Sequence, residues 1–194
     1  MKQDLIDDIL NEPTSYITSK WIIERIPFVF NNDLSAYIDW KERLSTLIQV
    51  DSKAFVFTGS SSVGFSLNPF KDLRPFDDQS DIDVAIISGI HFDIAWHFLR
   101  NIGPKYHRLK PKEKGAIDDH KGRLIFHGTI ATDKIVQLLP FGIDWVNAMS
   151  VMSKIAPTID RTINFRIYKD FEALKAYQKN GVNKIRDKLL NPQE

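Results

Sequence analysis

Two aspartates stand one residue apart at the start of an apolar run, in the stretch SDIDVAIIS at residues 80–88. If this run is a β-strand, alternate side chains share a face, so Asp81 and Asp83 point the same way roughly 6.5–7 Å apart. Two like charges in that position repel each other. A pair of divalent cations would relieve the repulsion and use both carboxylates. Asp81 and Asp83 are therefore candidate metal ligands and catalytic residues.

A Gly-Ser turn follows the preceding apolar run, in FVFTGSSSVGF at residues 55–65. Gly59 would let the backbone come close to a phosphate. The serines that follow it offer hydroxyls and backbone N–H groups at an expected helix start. Gly59, Ser60 and Ser61 are thus the candidate triphosphate-binding residues. The sequence predicts an anion-binding turn and a cation-binding strand end on neighbouring strands.

Together, TGSSSVGF and SDIDVAII resemble the signature of the DNA polymerase β-like nucleotidyltransferase superfamily, over residues 53–88. The resemblance implies that Gly59 and Ser60 bind the triphosphate and that Asp81 and Asp83 bind two magnesium ions. It also implies transfer of a nucleoside monophosphate from an NTP or dNTP to a hydroxyl, with release of pyrophosphate. The acceptor would be a nucleotide, a nucleic-acid end, a partner protein or a small molecule. A chain with no obvious template-handling domain is similar to stand-alone enzymes of bacterial anti-phage defence and toxin–antitoxin systems.

A third carboxylate is common in this superfamily on the next core strand, but the strand predicted at RLIFHGTI, residues 123–130, has no acid. His127 stands at a comparable position and could act as a base or a ligand, although a lone histidine in an apolar strand is more often structural. Asp133 is another candidate, and it equally suits the first turn of a helix. Asp144 and Asp160 are the remaining ones. The sequence does not choose among the four.

Basic residues are concentrated between positions 100 and 123, next to the predicted site. They could bind the phosphates of a triphosphate or of a nucleic-acid acceptor, and they equally suit a solvated helix face. These residues are Arg100, Lys105, Arg108, Lys110, Lys112, Lys114, Lys121 and Arg123.

The elements that would position these residues form an α/β (α+β) pattern of helices and strands. We predict one polymerase β-like nucleotidyltransferase domain over residues 1–194, with a mixed sheet flanked by helices. Residues 1–50 form its helical N-terminal part, 53–168 its sheet core and 170–190 a closing amphipathic helix. The predicted strands are KAFVFTG, DIDVAIIS, RLIFHGTI and RTINFRIY, and TDKIVQLLP is a predicted helix.

Composition excludes several other classes of protein. The chain has no cysteine, which excludes disulfides, thiolate zinc sites and cysteine nucleophiles. The net charge of +1 gives no overall attraction to nucleic acid, so any basic surface is local. No apolar run approaches the roughly 20 residues that span a bilayer, so we expect a cytoplasmic protein with no membrane partner. Oligomeric state stays open.

Three hypotheses follow. The first is an active metal-dependent nucleotidyltransferase. The second is a catalytically silent relative that binds a partner protein or nucleic acid, and the missing third acid supports it. The third is an unrelated structural α/β domain, which would not bind a triphosphate.

Overall fold

A computed structural model describes residues 1–191 of the chain. Four short apolar runs form its strands, and they pair into one mixed sheet with the order β1-β2-β4-β3. β1 is antiparallel to β2, β2 is parallel to β4, and β3 is antiparallel to β4. The strands are β1 (Phe55–Thr58), β2 (Ile82–Ile87), β3 (Thr129–Ala131) and β4 (Ile163–Tyr168). A mixed sheet flanked by helices confirms the predicted α+β class.

Eight α-helices are present within residues 1–191, three of them before the first strand, as predicted. Two helices continue into π-helical turns, at Ser19–Ile23 and His120–Leu124. The helices are α1 (Lys2–Asn11), α2 (Thr14–Thr18), α3 (Leu34–Ile48), α4 (Gly59–Val63), α5 (Gly89–Arg100), α6 (Pro111–Asp119), α7 (Gly142–Met152) and α8 (Phe171–Leu190). No helix in the described part of the chain is both long and apolar enough to cross a membrane.

Alternation along the strands divides the core into two layers. Phe57, Val84 and Phe165 point to one side, where they pack with buried residues of α3, α5 and α7. Val56 and Ala85 point to the other side, toward α1, α2 and α8. Because successive strand residues face opposite ways, Asp83 lies on the second side, beside Ala85. The candidate catalytic residue therefore faces α8.

Two sequence predictions are wrong between β2 and β4. Most of RLIFHGTI is not a strand: His120–Leu124 is π-helical, Ile125–Gly128 forms turns, and only Thr129–Ala131 pairs with β4. The buried His120 ring explains this, since its Nδ1 lies 2.6 Å from the Ala116 carbonyl and its Nε2 accepts the Ala131 N–H at 3.0 Å. TDKIVQLLP forms two 3₁₀ turns instead of an α-helix.

Candidate active site

A polar cleft of about 240 Å³ opens on the α8 side of the sheet, at the end where β1 stops and β2 begins. Strand pairing brings its sheet residues together: Thr58 is opposite Asp83, and Asp83 is opposite Asn164. Residues of α8 line the cleft from the side opposite the sheet. The cleft residues are Thr58, Gly59, Asp83, Asp133, Asn164, Phe165, Arg166, Tyr168, Tyr177 and Gln178.

Gly59 packs directly against the carboxylate of Asp83. Its φ of +63° lies in the left-handed region that favours glycine. A Cβ atom at this position would stand 2.7 Å from Asp83 Oδ2, closer than atoms can approach. Only glycine therefore fits both the turn and the space beside this oxygen, which gives a physical reason for the Gly-Ser turn at this place.

Asp83 is a half-buried acid that lines the cleft. Its Oδ1 accepts a long hydrogen bond of 3.4 Å from Asn164 Nδ2. Burial raises the pKa of Asp83, and the charges of Asp81 and Asp133 add to that effect, against the opposing influence of Asn164 and Arg166. A cation beside Asp83 would favour its ionised form.

The three serines of the turn have different surroundings. Ser60 is half-buried at the start of α4, and no side chain caps this helix. Ser61 is fully buried, and its hydroxyl donates to the Thr58 carbonyl at 2.9 Å. Ser62 is also fully buried, and its hydroxyl lies 3.4 Å from the Ile22 carbonyl. Ser60 follows the cleft residue Gly59 in the chain but is not itself among the residues that line the cleft, while Ser61 and Ser62 stabilise the turn and its packing.

Of the proposed third-acid positions, the structure brings only Asp133 to the cleft. The side chain of its neighbour Thr132 donates to the Phe165 carbonyl at 2.5 Å, which holds this segment along β4. Ala131 is opposite Arg166 in an antiparallel pair, so the chain runs on from there toward Asn164. Asp133 thereby joins Asp83 at the same end of the cleft.

The other predicted site residues do not line the cleft. Asp81 is exposed just before β2. His127 is exposed in the turn before β3 and contacts the Phe126 ring edge-on, with 5.3 Å between centroids. Asp160 is exposed with a positive φ of 57°, and Asp144 lines a different pocket beside α7. Within residues 1–191, no three acidic or histidine side chains converge as a metal-binding group.

Comparison with protein-family models, with curated proteins and with solved structures gives no match to this chain.

Oxygen donors dominate the acidic end of the cleft, which is the chemistry that Mg²⁺ and Mn²⁺ prefer. Asp83 supplies a carboxylate that lies against Gly59 in the cleft, and Asn164 supplies an amide next to it. A cation here would offset the burial that raises the pKa of Asp83. The residues present thus fit a hard divalent cation at Asp83, with Asp81 just outside the cleft.

On the side away from β1, the strand that pairs with β2 is β4, whereas RLIFHGTI was predicted to be the next core strand. Asn164 of β4 is opposite Asp83. Sequence reasoning missed Asn164 and Arg166 as site residues. Both stand between buried apolar neighbours in INFRIY, so the alternation of polar and apolar residues indicated a polar face of this strand. Tyr177 and Gln178 were missed because the pattern of α8 favoured simple core packing.

Part of the basic stretch lies beside the cleft. Three exposed lysines, Lys110, Lys112 and Lys134, line a groove of about 300 Å³ that shares Asp133 with the polar cleft. In the π-helical turn after α6, Arg123 forms an ion pair with Asp119 at 2.9 Å. The groove also contains Glu113, so three lysines and two acids line it next to the acidic end of the site.

Proposed function

We propose that this chain is a metal-dependent nucleotidyltransferase of the polymerase β-like type, which moves a nucleoside monophosphate from an NTP or dNTP to a hydroxyl. One observation carries the proposal: the left-handed Gly59 lies against the Asp83 carboxylate in one cleft, so a turn suited to an anion and an acid suited to a cation are neighbours. The alternation of an apolar strand, a Gly-Ser turn and a second strand supports it as well. Membership of the polymerase β-like nucleotidyltransferase superfamily is part of the same proposal.

The chain's own residues would divide the work. Ser60 and the backbone N–H groups at Gly59 would bind the β- and γ-phosphates and so orient the α-phosphorus for in-line attack. Asp81 and Asp83 would hold Mg²⁺ or Mn²⁺, two ions in the full arrangement, which when bound would stabilise the charge on the transferred phosphate. Asp133 would accept the proton from the acceptor hydroxyl.

One bond forms and one bond breaks in the proposed transfer. The acceptor oxygen bonds to the α-phosphorus, and the bond from that phosphorus to the oxygen bridging to the β-phosphate breaks. Pyrophosphate leaves with that oxygen. A nucleic-acid end is the acceptor that the lysine groove favours, because Lys110, Lys112 and Lys134 could neutralise its phosphates.

Label transfer tests this function directly. Purified protein is incubated with each labelled NTP and dNTP, with magnesium or manganese, with and without an oligonucleotide acceptor. Products are resolved on denaturing gels of protein and of nucleic acid. We expect transfer that is lost in Asp81→Ala and in Asp83→Ala. Asp39→Ala is the matched control, since Asp39 is an exposed aspartate on α3, on the other side of the sheet.

A catalytically silent relative that binds a partner protein or nucleic acid is the second candidate. Asn164 favours it, because a neutral amide stands opposite Asp83 where another carboxylate would complete a metal-binding group. Nucleotide binding by the wild type, with no turnover under either metal and with any acceptor, would support this candidate over the enzyme. Asn164→Asp, which introduces a carboxylate at this position, is the matched variant. A gain of transfer in this variant would mean that the wild type lacks a carboxylate there.

A further inference from the structure

Arg166 places a guanidinium in the polar cleft, and within residues 1–191 it forms no ion pair with a carboxylate. Its Nη1 donates to the Tyr177 hydroxyl, and the guanidinium carbon lies 5.0 Å from the centre of the Tyr177 ring. Arginine is always charged and offers five N–H donors, of which Tyr177 accepts one. A half-buried charge of this kind is normally paired, so its free donors are suited to an anion.

The register fixes where this charge lies relative to Asp83. Arg166 is opposite Ala85 on β2 and opposite Ala131 on β3. It lies two residues after Asn164, which is opposite Asp83. Residues two apart on a strand share a face and are separated by about 7 Å. The cleft therefore has an acidic end at Asp83 and a basic end at Arg166, both on the same side of the sheet.

The groups in direct contact with Arg166 are neutral hydrogen-bonding groups, and the charges of Asp83 and Asp133 act on it from beyond ion-pair distance. Tyr168 is buried beside Arg166 and Gln178, and burial raises its pKa, so its hydroxyl stays uncharged. Tyr177 and Gln178 come from α8 and line the same cleft. These groups orient a guanidinium but do not neutralise it. A guanidinium that is held in place with no carboxylate in direct contact is suited to binding an anionic ligand.

We propose that Arg166 binds the β- or γ-phosphate of the triphosphate, with Tyr177 as the residue that positions its guanidinium. The inference rests on the proposed function for its ligand. A cation held at Asp83 and a polyphosphate held at Arg166 would match the opposite charges at the two ends of the cleft. Phosphates would then run from the Gly59 turn along β4 beneath α8.

Inorganic tripolyphosphate is the probe, because it isolates the phosphate contacts from base, sugar and turnover. Its Kd is measured by calorimetry with magnesium for wild type, Arg166→Gln, Arg166→Lys and Arg43→Gln. Arg43 is an exposed arginine on α3 and serves as the matched control. We expect Arg166→Gln to weaken binding about tenfold or more, Arg166→Lys to weaken it less, and Arg43→Gln to leave it unchanged.

Tyr177 is tested by a double-mutant cycle. Tyr177→Phe removes the acceptor for Arg166 Nη1, and we expect a several-fold loss of tripolyphosphate affinity. That loss should vanish in the Arg166→Gln background, because Tyr177 acts through Arg166. If Arg166→Gln does not fold, as judged by circular dichroism, Arg166→Lys and Tyr177→Phe carry the test.

The outcomes separate this inference from the proposed function. An unchanged Kd in folded Arg166→Gln, or no binding of tripolyphosphate by the wild type, overturns the role of Arg166 even if label transfer occurs. Arg166-dependent binding of tripolyphosphate without any nucleotidyl transfer upholds the role and rejects the enzyme.

Discussion

The two faces of the sheet use the same strands for different purposes. On the face toward α3, α5 and α7, Phe57, Val84 and Phe165 are almost fully buried. On the face toward α8, the neighbouring residues Asp83, Asn164 and Arg166 line a polar cleft. Adjacent residues of one strand thus have different roles: one packs in the core and the next lines the candidate site. Substitutions on the two faces should therefore affect different measurements.

The largest expected effect is on stability, from Phe57→Ala on the apolar face. Phe57 is buried among the rings of Trp40 and Phe30, with centroids 4.9 and 5.1 Å away. Its removal should lower the free energy of unfolding by about 3–5 kcal/mol, measured by urea denaturation. Tripolyphosphate affinity of the remaining folded protein should stay unchanged. A loss of affinity without a loss of stability would mean that the two faces are not separate.

Asp83→Asn on the polar face should have the reverse effect. We expect transfer to fall roughly a hundredfold, which corresponds to about 2.7 kcal/mol in the barrier. Stability should be retained, because the asparagine oxygen can still accept from Asn164 and a half-buried charge is removed. Full activity together with a lower Tm would reject the catalytic assignment of Asp83.

Gly59→Ala tests the contact between the turn and the acid. The positive φ costs about 1–2 kcal/mol for a residue with a Cβ atom, and the close approach to Asp83 Oδ2 adds strain. We expect a lower free energy of unfolding by about 2 kcal/mol and weaker nucleotide binding. Gly115→Ala is the control: it lies in α6 with open space around it, so the same substitution should stabilise the protein by about 0.5–1 kcal/mol. Equal effects at both glycines would contradict the close packing at Gly59.

Two adjacent serines refine the comparison further. Ser61→Ala should cost about 1 kcal/mol of stability, because it removes the hydrogen bond to the Thr58 carbonyl. Ser60→Ala should instead weaken nucleotide affinity several-fold with little change in Tm. Calorimetric titration and thermal unfolding of both variants check the pair. Unchanged nucleotide affinity in Ser60→Ala would remove Ser60 from the site.

Local pattern was enough to predict much of this fold. β1, β2 and β4 were each predicted from a short β-branched or aromatic run. The sequence did not predict the order of the strands in the sheet. That order depends on the path of the chain between β3 and β4, which places β4 rather than β3 beside β2. The sequence therefore directed the search for a third acid to RLIFHGTI, whereas Asn164 is the residue opposite Asp83. The role of α8 was missed because amphipathic spacing does not show which residues face a cleft.

The smallest effect expected is a pH dependence that belongs to Asp83 alone. Burial raises the pKa of Asp83 above the value of about 3.9 in an unfolded chain. Its contribution to stability is therefore complete below that unfolded value and is lost as the pH rises through the folded pKa. Asp83→Asn does not titrate, so its stability relative to wild type should increase as the pH rises from about 4 to about 8. Urea denaturation of both proteins across this range measures the difference, in which the other titrating groups largely cancel. A difference that stays flat or shrinks with rising pH would mean that the acid is not desolvated, and the polar face would then resemble ordinary surface.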